Sequence, residues 1–330
     1  MQPPYLLFIG DARDQLAAKT AQGVADWRPE NCLGQLRLPG CQADLGINDL
    51  SPADAAAAGA STMLVGVANA GGVLSPTWTE TILEAIESGL DVASGLHMKL
   101  ADVPELAAAA ASGGRQLFDV RHPAQEFAVG TGRPRPGRRL LTVGTDCSQG
   151  KMYAALALER EMRSRGIAAD FRATGQSGIF IAGHGVSIDA VVSDFVSGAV
   201  EWLCPDAEPG HWDIVEGQGS LFHPSYAGVS LGLLHGAQPD ALVMCHEPTR
   251  QHMRGLPDWP LPDIAECIAA NLAAASLTNQ AVRLLGVAVN TSALPETEVS
   301  PYLEALEADL GVACVDPLKH GVGRLIEALP

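Results

Sequence analysis

The sequence predicts an α/β protein made of two domains with parallel sheets. Short apolar runs alternate with helix-forming segments along the chain, and 47% of the 330 residues are hydrophobic. The 35 glycines fit the tight turns between strands and helices, and aromatic residues are few. The segment 130–139, GTGRPRPGRR, has no apolar period and concentrates Gly, Pro and Arg. It predicts a boundary between domains 1–132 and 133–330, and its arginines indicate either a solvated linker or a basic rim near a ligand.

The N-terminal half alternates strands and helices, as a small parallel-sheet domain does. Ser75 and Pro76 predict the start of a helix that runs to about Ser88 and is closed by Gly89. The G-x-G-x-x-G fingerprint is missing from this half, which argues against a dinucleotide site. Ligands of open α/β sheets bind beyond the strand ends, so Asn69 and His97 are candidates to face a cleft. Strands are predicted over 5–9, 32–38, 62–67, 91–94 and 116–120.

The C-terminal half alternates in the same way. Strands are predicted over 140–143, 168–173, 213–215, 241–245, 282–289 and 312–315. Helices are predicted over 153–165, 189–203, 262–277 and 301–308.

The segment 138–159 carries the motif that is most informative about function. An apolar strand leads into GTDCSQGK, residues 144–151, and a helix rich in Ala, Leu and Glu follows. Strand, glycine-bounded loop, Lys and helix form a phosphate-binding loop, in which backbone N–H groups and the Lys ammonium hold an anion. The Ser or Thr that normally follows the Lys and binds Mg²⁺ is replaced by Met152. The loop is therefore expected to bind phosphates without the usual metal, and no metal site is predicted.

The composition excludes several kinds of partner. The formal charge of −17 repels nucleic acids and anionic lipid surfaces. The seven cysteines form no C-x-x-C pair, which favours reduced thiols in the cytoplasm. The N-terminus has no basic region and too short an apolar run for a signal peptide, and no apolar segment approaches the length of a membrane span. We expect a small-molecule substrate, a cytoplasmic location and a homo-oligomer.

Two resemblances follow from longer motifs. GTDCSQGK and the later VEGQG resemble the dethiobiotin synthetase branch of P-loop proteins, which uses ATP and magnesium. A closer resemblance covers nearly the whole chain. It rests on VGTDCSQGKM, RATGQSGIFIAGHGVSIDAVVSDFVSGAVEWL, DIVEGQGSLFHPSYAGVSLGLLHG and PDALVMCHEPTR, which are similar to the D-glutamate N-acetyltransferase family. That resemblance implies a Rossmann-like N-terminal domain, a P-loop NTPase-like α/β/α C-terminal domain, and acetyl-CoA as donor.

If acetyl-CoA is the donor, the chemistry of the reaction suggests roles for the polar residues of the loops. CoA carries several phosphates, and the residues predicted to bind them are Gly144, Thr145, Ser148, Gln149, Gly150 and Lys151. Acetyl transfer to an amine needs a base, for which Glu216 is the first candidate and His223 and His184 are the next. An oxyanion needs N–H donors, which the glycines of 175–178 or 217–219 would supply. Arg172, Gln176, Ser177 and Arg250 are the predicted contacts of a dicarboxylate acceptor.

Other interpretations stay open at the level of sequence. Cys147 lies at a helix start, where a thiolate is stabilised, and is a candidate to carry the acetyl group covalently. An ATP-dependent ligase or kinase is the alternative enzyme, although Met152 argues against it. A module that senses a nucleotide or CoA without catalysis is the third hypothesis.

Overall fold

The computed structural model describes residues 1–67, 74–123 and 125–330, and these form two compact units. The first unit contains residues 1–125 and 175–190, and the second contains 126–174 and 191–330. The strands are β1 (Tyr5–Gly10), β2 (Cys32–Arg37), β3 (Thr62–Val65), β4 (Asp91–Ser94), β5 (Leu117–Asp119), β6 (Arg138–Gly144), β7 (Ala169–Arg172), β8 (Trp212–Val215), β9 (Ala241–His246), β10 (Arg283–Val289) and β11 (Ala313–Val315). The helices are α1 (Lys19–Trp27), α2 (Pro52–Ala57), α3 (Pro76–Glu87), α4 (Pro104–Gly113), α5 (Lys151–Ser164), α6 (Gln176–Ala182), α7 (Val196–Leu203), α8 (Ala227–Ala237), α9 (Ile264–Ser276), α10 (Glu296–Leu310) and α11 (Gly323–Ile326).

Each unit is built on its own parallel sheet. The strand order is β2-β1-β3-β4-β5 in the first unit and β11-β10-β9-β6-β8-β7 in the second. Neighbouring strands pair in parallel throughout both sheets. The central strands β1 and β6 are almost entirely buried, as expected for strands with helices on both faces. In the second sheet, β6 lies between β8 and β9, so the loops that follow these three strands meet at one edge.

Local chemistry explains why helices begin and end where they do. The hydroxyl of Ser75 accepts a hydrogen bond from the N–H of Trp78 at 3.2 Å, and Pro76 occupies the first turn of α3. Gly89 follows this helix with φ +93°, a conformation that favours glycine. The helix predicted from Ser75 and Pro76 is therefore confirmed. Within the described ranges, no helix combines the length and apolarity that a membrane span needs.

Two predicted helices differ from those observed. The predicted helix over 189–203 is reduced to α7, preceded by short 3-10 turns at Ile188–Ala190 and Ser193–Phe195. The chain leaves the first unit after Ala190, where the carboxylate of Asp189 is held by Arg121, so a continuous helix cannot form. The predicted helix over 301–308 begins earlier, at Glu296, and contains Pro301 in its interior. The start of this helix was therefore predicted wrongly, because Pro301 lies inside the helix and not in its first turn.

The arginines of segment 130–139 are not uniformly exposed, and neither interpretation of the segment describes Arg135. Arg135 is 8% exposed, and its guanidinium donates to the carbonyl oxygens of Cys204 at 2.8 Å and Gly236 at 2.5 Å. Cys204 directly follows α7, and Gly236 lies in the last turn of α8. One buried cation thus caps the C-termini of two helices, where carbonyl groups lack partners and the helix dipoles favour positive charge.

Replacement of Arg135 by Met should lower the free energy of unfolding by about 2–4 kcal/mol, because the carbonyl groups it binds stay buried without a donor. Denaturant unfolding of the full-length protein measures this change. Arg133→Met is the matched control, since Arg133 lies in the same segment but is exposed and pairs with Asp206 on the surface. The control should change stability by no more than about 0.5 kcal/mol. Equal effects of the two substitutions would contradict the capping role.

Candidate active site

The phosphate loop connects β6 to α5 and has the backbone shape of an anion-binding loop. Ser148 has φ +53° and Gly150 has φ +97°, so the chain turns through left-handed conformations before the helix begins at Lys151. Such turns direct successive N–H groups toward one concavity. The predicted loop residues are therefore together at the carboxyl end of β6.

A buried hydrogen-bond chain braces this loop from inside. The side-chain oxygen of Gln149 accepts from the hydroxyl of Thr145 at 2.6 Å and from the N–H of Asp146 at 2.8 Å. The Thr145 hydroxyl also lies 3.1 Å from Nδ1 of His246, at the end of β9. Burial lowers the pKa of His246, which favours its neutral form. These bonds fix the orientation of the Gln149 amide, whose Nε2 is buried and has no partner among the described residues.

Lys151 lies inside the loop and is almost completely buried, with 6% exposure. Its ammonium donates to the carbonyl oxygen of Asp146 at 2.7 Å. Burial lowers the pKa of Lys151, because desolvation disfavours the charged form. Gly217 lies against this side chain, since a Cβ at position 217 would be 3.0 Å from Cδ of Lys151 and 1.7 Å from the carbonyl oxygen of Thr142. A side chain at 217 would therefore collide with the backbone of β6 and crowd Lys151, so this position requires glycine.

Asp146 joins the phosphate loop to the segment after β9. One carboxylate oxygen accepts from the N–H of Cys147 at 2.6 Å. The other accepts from Nη1 of Arg250 at 2.8 Å and from the N–H of Arg254 at 2.7 Å. Arg250 donates further to the carbonyl oxygen of Cys147 at 2.6 Å, and the guanidinium of Arg254 donates to the hydroxyl of Ser148. Two arginines therefore border the loop that contains Lys151.

Asp146, Cys147 and His223 are close enough together to suggest a metal site, since one possible ligand atom from each lies within 4.8 Å of the others. Asp146 and His223 already make hydrogen bonds, however, through atoms that could bind a metal. Both oxygens of Asp146 accept N–H groups, and Nδ1 of His223 accepts the N–H of Ser225 at 3.1 Å. Arg250 and Lys151 add positive charge beside them. This set of groups fits an anion better than a cation.

Glu216 follows β8 and is 5% exposed, next to the loop at the end of β6. One of its carboxylate oxygens accepts the N–H of Thr174 at 2.9 Å, and the Thr174 hydroxyl donates to the carbonyl oxygen of Glu216 at 2.6 Å. The N–H of Gly217 donates to the hydroxyl of Thr142 at 2.9 Å, so it is already engaged. The carboxylate is thus fixed by the end of β7 at the sheet edge that carries the phosphate loop.

His223 also lies beside the phosphate loop, but both of its ring nitrogens have partners. Nδ1 accepts the N–H of Ser225, and Nε2 lies 3.2 Å from the carbonyl oxygen of Arg254, to which it donates. Its ring stacks on Tyr226 with centroids 4.5 Å apart. This arrangement leaves no lone pair on the imidazole for a proton, so His223 is less suited than Glu216 to act as a base.

The other predicted residues are Arg172, which ends β7, and three residues of the first unit. Arg172 pairs with the buried Asp213 at 2.6 Å, which occupies its guanidinium. Gln176, Ser177 and His184 belong to the first unit: the Ser177 hydroxyl lies 2.9 Å from that of Thr20, and His184 is exposed. Their roles stay predictions.

Two further candidates have different outcomes. Burial raises the pKa of the Cys147 thiol in spite of the nearby Lys151. A raised pKa disfavours the thiolate, so it does not support a covalent role for Cys147. Asn69 lies outside the described residues.

Three residues of the site were not identified from the sequence. Asp146 was not among the loop residues predicted to bind CoA, His246 lies in the motif PDALVMCHEPTR without an assigned role, and Arg254 lies in an irregular segment. The position of His246 at the end of the strand predicted over 241–245 could have identified it as a residue of the site. Arg254 had none, because its position depends on the path of the chain after β9.

Comparison with known proteins agrees with this geometry. The phosphate loop at the end of a central parallel strand defines a P-loop protein, and the first unit adds a second α/β domain. A family model described as "Domain of unknown function (DUF1611_C) P-loop domain" matches residues 126–326, and "DUF1611_N Rossmann-like domain" matches residues 36–123. The crystal structure of a DUF1611 family protein from Anabaena variabilis is 30% identical and covers 99% of both chains with a TM-score of 0.89.

Two curated relatives identify the family more closely. A protein from Tritonibacter scottomollicae is 52% identical, and one from a Pseudoalteromonas species is 54% identical, over 100% of this chain and 99% of each relative. Both are named D-glutamate N-acetyltransferase. The chain belongs to this family. The fold class, the family and the enzyme class, an N-acetyltransferase, that were predicted from the sequence are confirmed.

Proposed function

We propose that this protein transfers the acetyl group of acetyl-CoA to the amino group of D-glutamate and forms N-acetyl-D-glutamate. The main support is the identity of 52% and 54% over the whole chain to two proteins named for that reaction. The residues of the second unit supply the chemistry that such a reaction needs.

The phosphate loop is suited to hold the donor. CoA carries a pyrophosphate and a ribose 3′-phosphate, and its thioester transfers an acetyl group without a metal. The loop offers backbone N–H groups, the ammonium of Lys151 and the nearby arginines. Met152, in the first turn of α5, has a thioether where a magnesium-binding hydroxyl normally lies, and magnesium prefers oxygen ligands. This substitution supports a CoA site over the alternative of an ATP-dependent ligase.

Glu216 is the group we assign to proton transfer. An ammonium has no lone pair, so a base must remove a proton before the nitrogen attacks the thioester carbonyl. The C–N bond then forms, the C–S bond breaks, and the electron pair leaves with sulfur as the CoA thiolate. The second proton of the nitrogen passes to this thiolate, which gives the neutral amide and the CoA thiol. A carboxylate oxygen has two lone pairs, so Glu216 can accept this proton while it still accepts the N–H of Thr174.

The proposed activity is tested by mass spectrometry of reactions with acetyl-CoA and a panel of D- and L-amino acids, with and without EDTA. We expect acetylation of D-glutamate at a rate that EDTA does not change. The absence of any acetylated amino acid would contradict the proposal, and a product that forms only with ATP and Mg²⁺ would favour the ligase.

The predicted homo-oligomer and cytoplasmic location stay predictions. Light scattering of the purified full-length chain measures the first.

A further inference from the structure

Arg254 differs from Arg250, the other arginine beside the phosphate loop, in that it has no acidic partner among the described residues. Its guanidinium donates to the hydroxyl of Ser148, and no carboxylate within the described ranges lies at ion-pair distance from it. Arg250, by contrast, pairs with Asp146 at 2.8 Å and with Glu247 at 3.4 Å.

Asp146 fixes the backbone of Arg254 without neutralising its side chain. The carboxylate is completely buried and accepts the N–H of Arg254 at 2.7 Å, while its contact with a guanidinium is made to Arg250. The carbonyl oxygen of Arg254 is held as well, by Nε2 of His223 at 3.2 Å. The main chain at 254 is therefore fixed on both sides, and the guanidinium at the end of its flexible side chain stays at the rim of the loop.

A second observation inside the same loop also indicates a ligand. Nε2 of Gln149 is buried and has no partner in the part of the chain that the structure describes, although the oxygen of the same amide accepts from Thr145 and Asp146. A buried N–H group without an acceptor is costly, so such a group is normally matched by an oxygen. The loop thus has an N–H donor available for a ligand, and the guanidinium of Arg254 at its rim is a second donor. Such donors are expected at a site for an oxygen-rich anion.

We propose that Arg254 binds a phosphate group of the acetyl donor, and that Asp146 is the positioning residue that holds Arg254 at the loop. The identity of the ligand as CoA rests on the proposed function; the phosphate chemistry rests on the loop. On binding, the guanidinium exchanges a neutral hydroxyl for a charged phosphate, a stronger partner. The Ser148 hydroxyl is released for the same ligand.

The substitution Arg254→Gln tests the first part. Isothermal titration of the full-length protein with CoA, dephospho-CoA and inorganic pyrophosphate gives the dissociation constants. We expect CoA to bind about tenfold more weakly, the loss of one charge-assisted contact. If the contact is to the 3′-phosphate, the loss disappears with dephospho-CoA, and if it is to the pyrophosphate, the loss persists with all three ligands.

Arg324→Gln is the matched control, because it removes one positive charge from the same unit at an exposed arginine that pairs with Glu307. We expect this variant to bind CoA within about twofold of the unchanged protein, as screening predicts for a distant surface charge. Equal weakening by the two substitutions, or no weakening by Arg254→Gln, would overturn the inference.

Asp146→Asn separates positioning from simple charge. This change removes a negative charge beside an anion site, so electrostatics alone predicts tighter binding of CoA. The positioning role predicts the opposite, a loss of about tenfold, since an amide cannot hold both arginine donors as a carboxylate does. The double variant, Asp146→Asn with Arg254→Gln, should have the same dissociation constant for CoA as the single variant that binds CoA more weakly. The reason is that the two residues act through one contact. Tighter binding by Asp146→Asn, or fully additive losses, would refute the role of Asp146.

These outcomes are distinguishable from a failure of the proposed function. If the unchanged protein acetylates D-glutamate but Arg254→Gln binds CoA normally, the inference alone is wrong. If acetylation is not found but Arg254→Gln weakens the binding of pyrophosphate, the inference holds and the proposed reaction is wrong. If the unchanged protein binds none of the three ligands, both are wrong. Circular dichroism and thermal unfolding of each variant confirm that it is folded.

Discussion

Glu216→Gln should lower kcat by about 10²–10⁴-fold, the usual contribution of a general base. The amide oxygen of Gln can still accept the N–H of Thr174, so the loop should keep its shape, but an amide cannot take a proton from the acceptor. The dissociation constant for CoA should stay within about twofold of that of the unchanged protein, since Glu216 is not assigned to the phosphates. Single-turnover measurements with acetyl-CoA and D-glutamate determine the chemical step.

His223→Asn provides the comparison for this experiment. Both nitrogens of His223 are used in hydrogen bonds within the second unit, so the substitution should change kcat by less than about tenfold. Full activity of Glu216→Gln together with an inactive His223→Asn would reverse the assignment of the base.

Lys151→Ala should raise the KM for acetyl-CoA by about 10²-fold. Lys151 is the buried cation of the loop, and its loss removes about two charge-assisted contacts to phosphate oxygens, each equivalent to roughly tenfold. The same substitution should lower kcat much less, because the ammonium is assigned to binding and not to the acetyl transfer. Initial rates at varied acetyl-CoA and saturating D-glutamate separate the two parameters. An unchanged KM would place the donor elsewhere.

The pH dependence of donor binding follows from the same lysine. The ammonium is the form that binds phosphate, and burial lowers the pKa of Lys151 below the ordinary value. Affinity should therefore fall as the pH rises through the pKa of Lys151, and it should fall at a lower pH than it would for an exposed lysine. A thioether analogue of acetyl-CoA, titrated between about pH 7 and pH 10, avoids the ionisation of the CoA thiol. Lys151→Arg should bind more evenly over this range, since arginine stays protonated.

The fold and the centre of the site were predictable because they depend on local pattern. The apolar strand before Gly144 and the glycine before Lys151 specify a phosphate loop in any parallel sheet, and Ser75 with Pro76 specifies a helix start. These features need only neighbours in sequence. The confirmed fold class follows from the same alternation of strands and helices.

Tertiary contacts decided what the sequence did not reveal. Arg135 and Arg133 stand two positions apart in one Pro-rich segment, yet the first is buried between two helix ends and the second is exposed. Arg172 and Arg250 were equivalent candidates for a carboxylate, but Asp213 occupies the first and the phosphate loop holds the second. The environment of each of these arginines depends on a partner 40 or more positions away in the chain. Periodicity in the sequence does not predict contacts between such distant positions.

The proposed role of the Lys151 loop is to bind the phosphates of CoA without a metal. Its most direct test is the equilibrium binding of CoA to the full-length protein, measured first in EDTA and then in excess Mg²⁺, beside the Lys151→Ala variant. We expect the same affinity in both conditions for the unchanged protein and a loss of about 10²-fold for the variant in both. Binding that requires Mg²⁺, or that Lys151→Ala leaves intact, would contradict it.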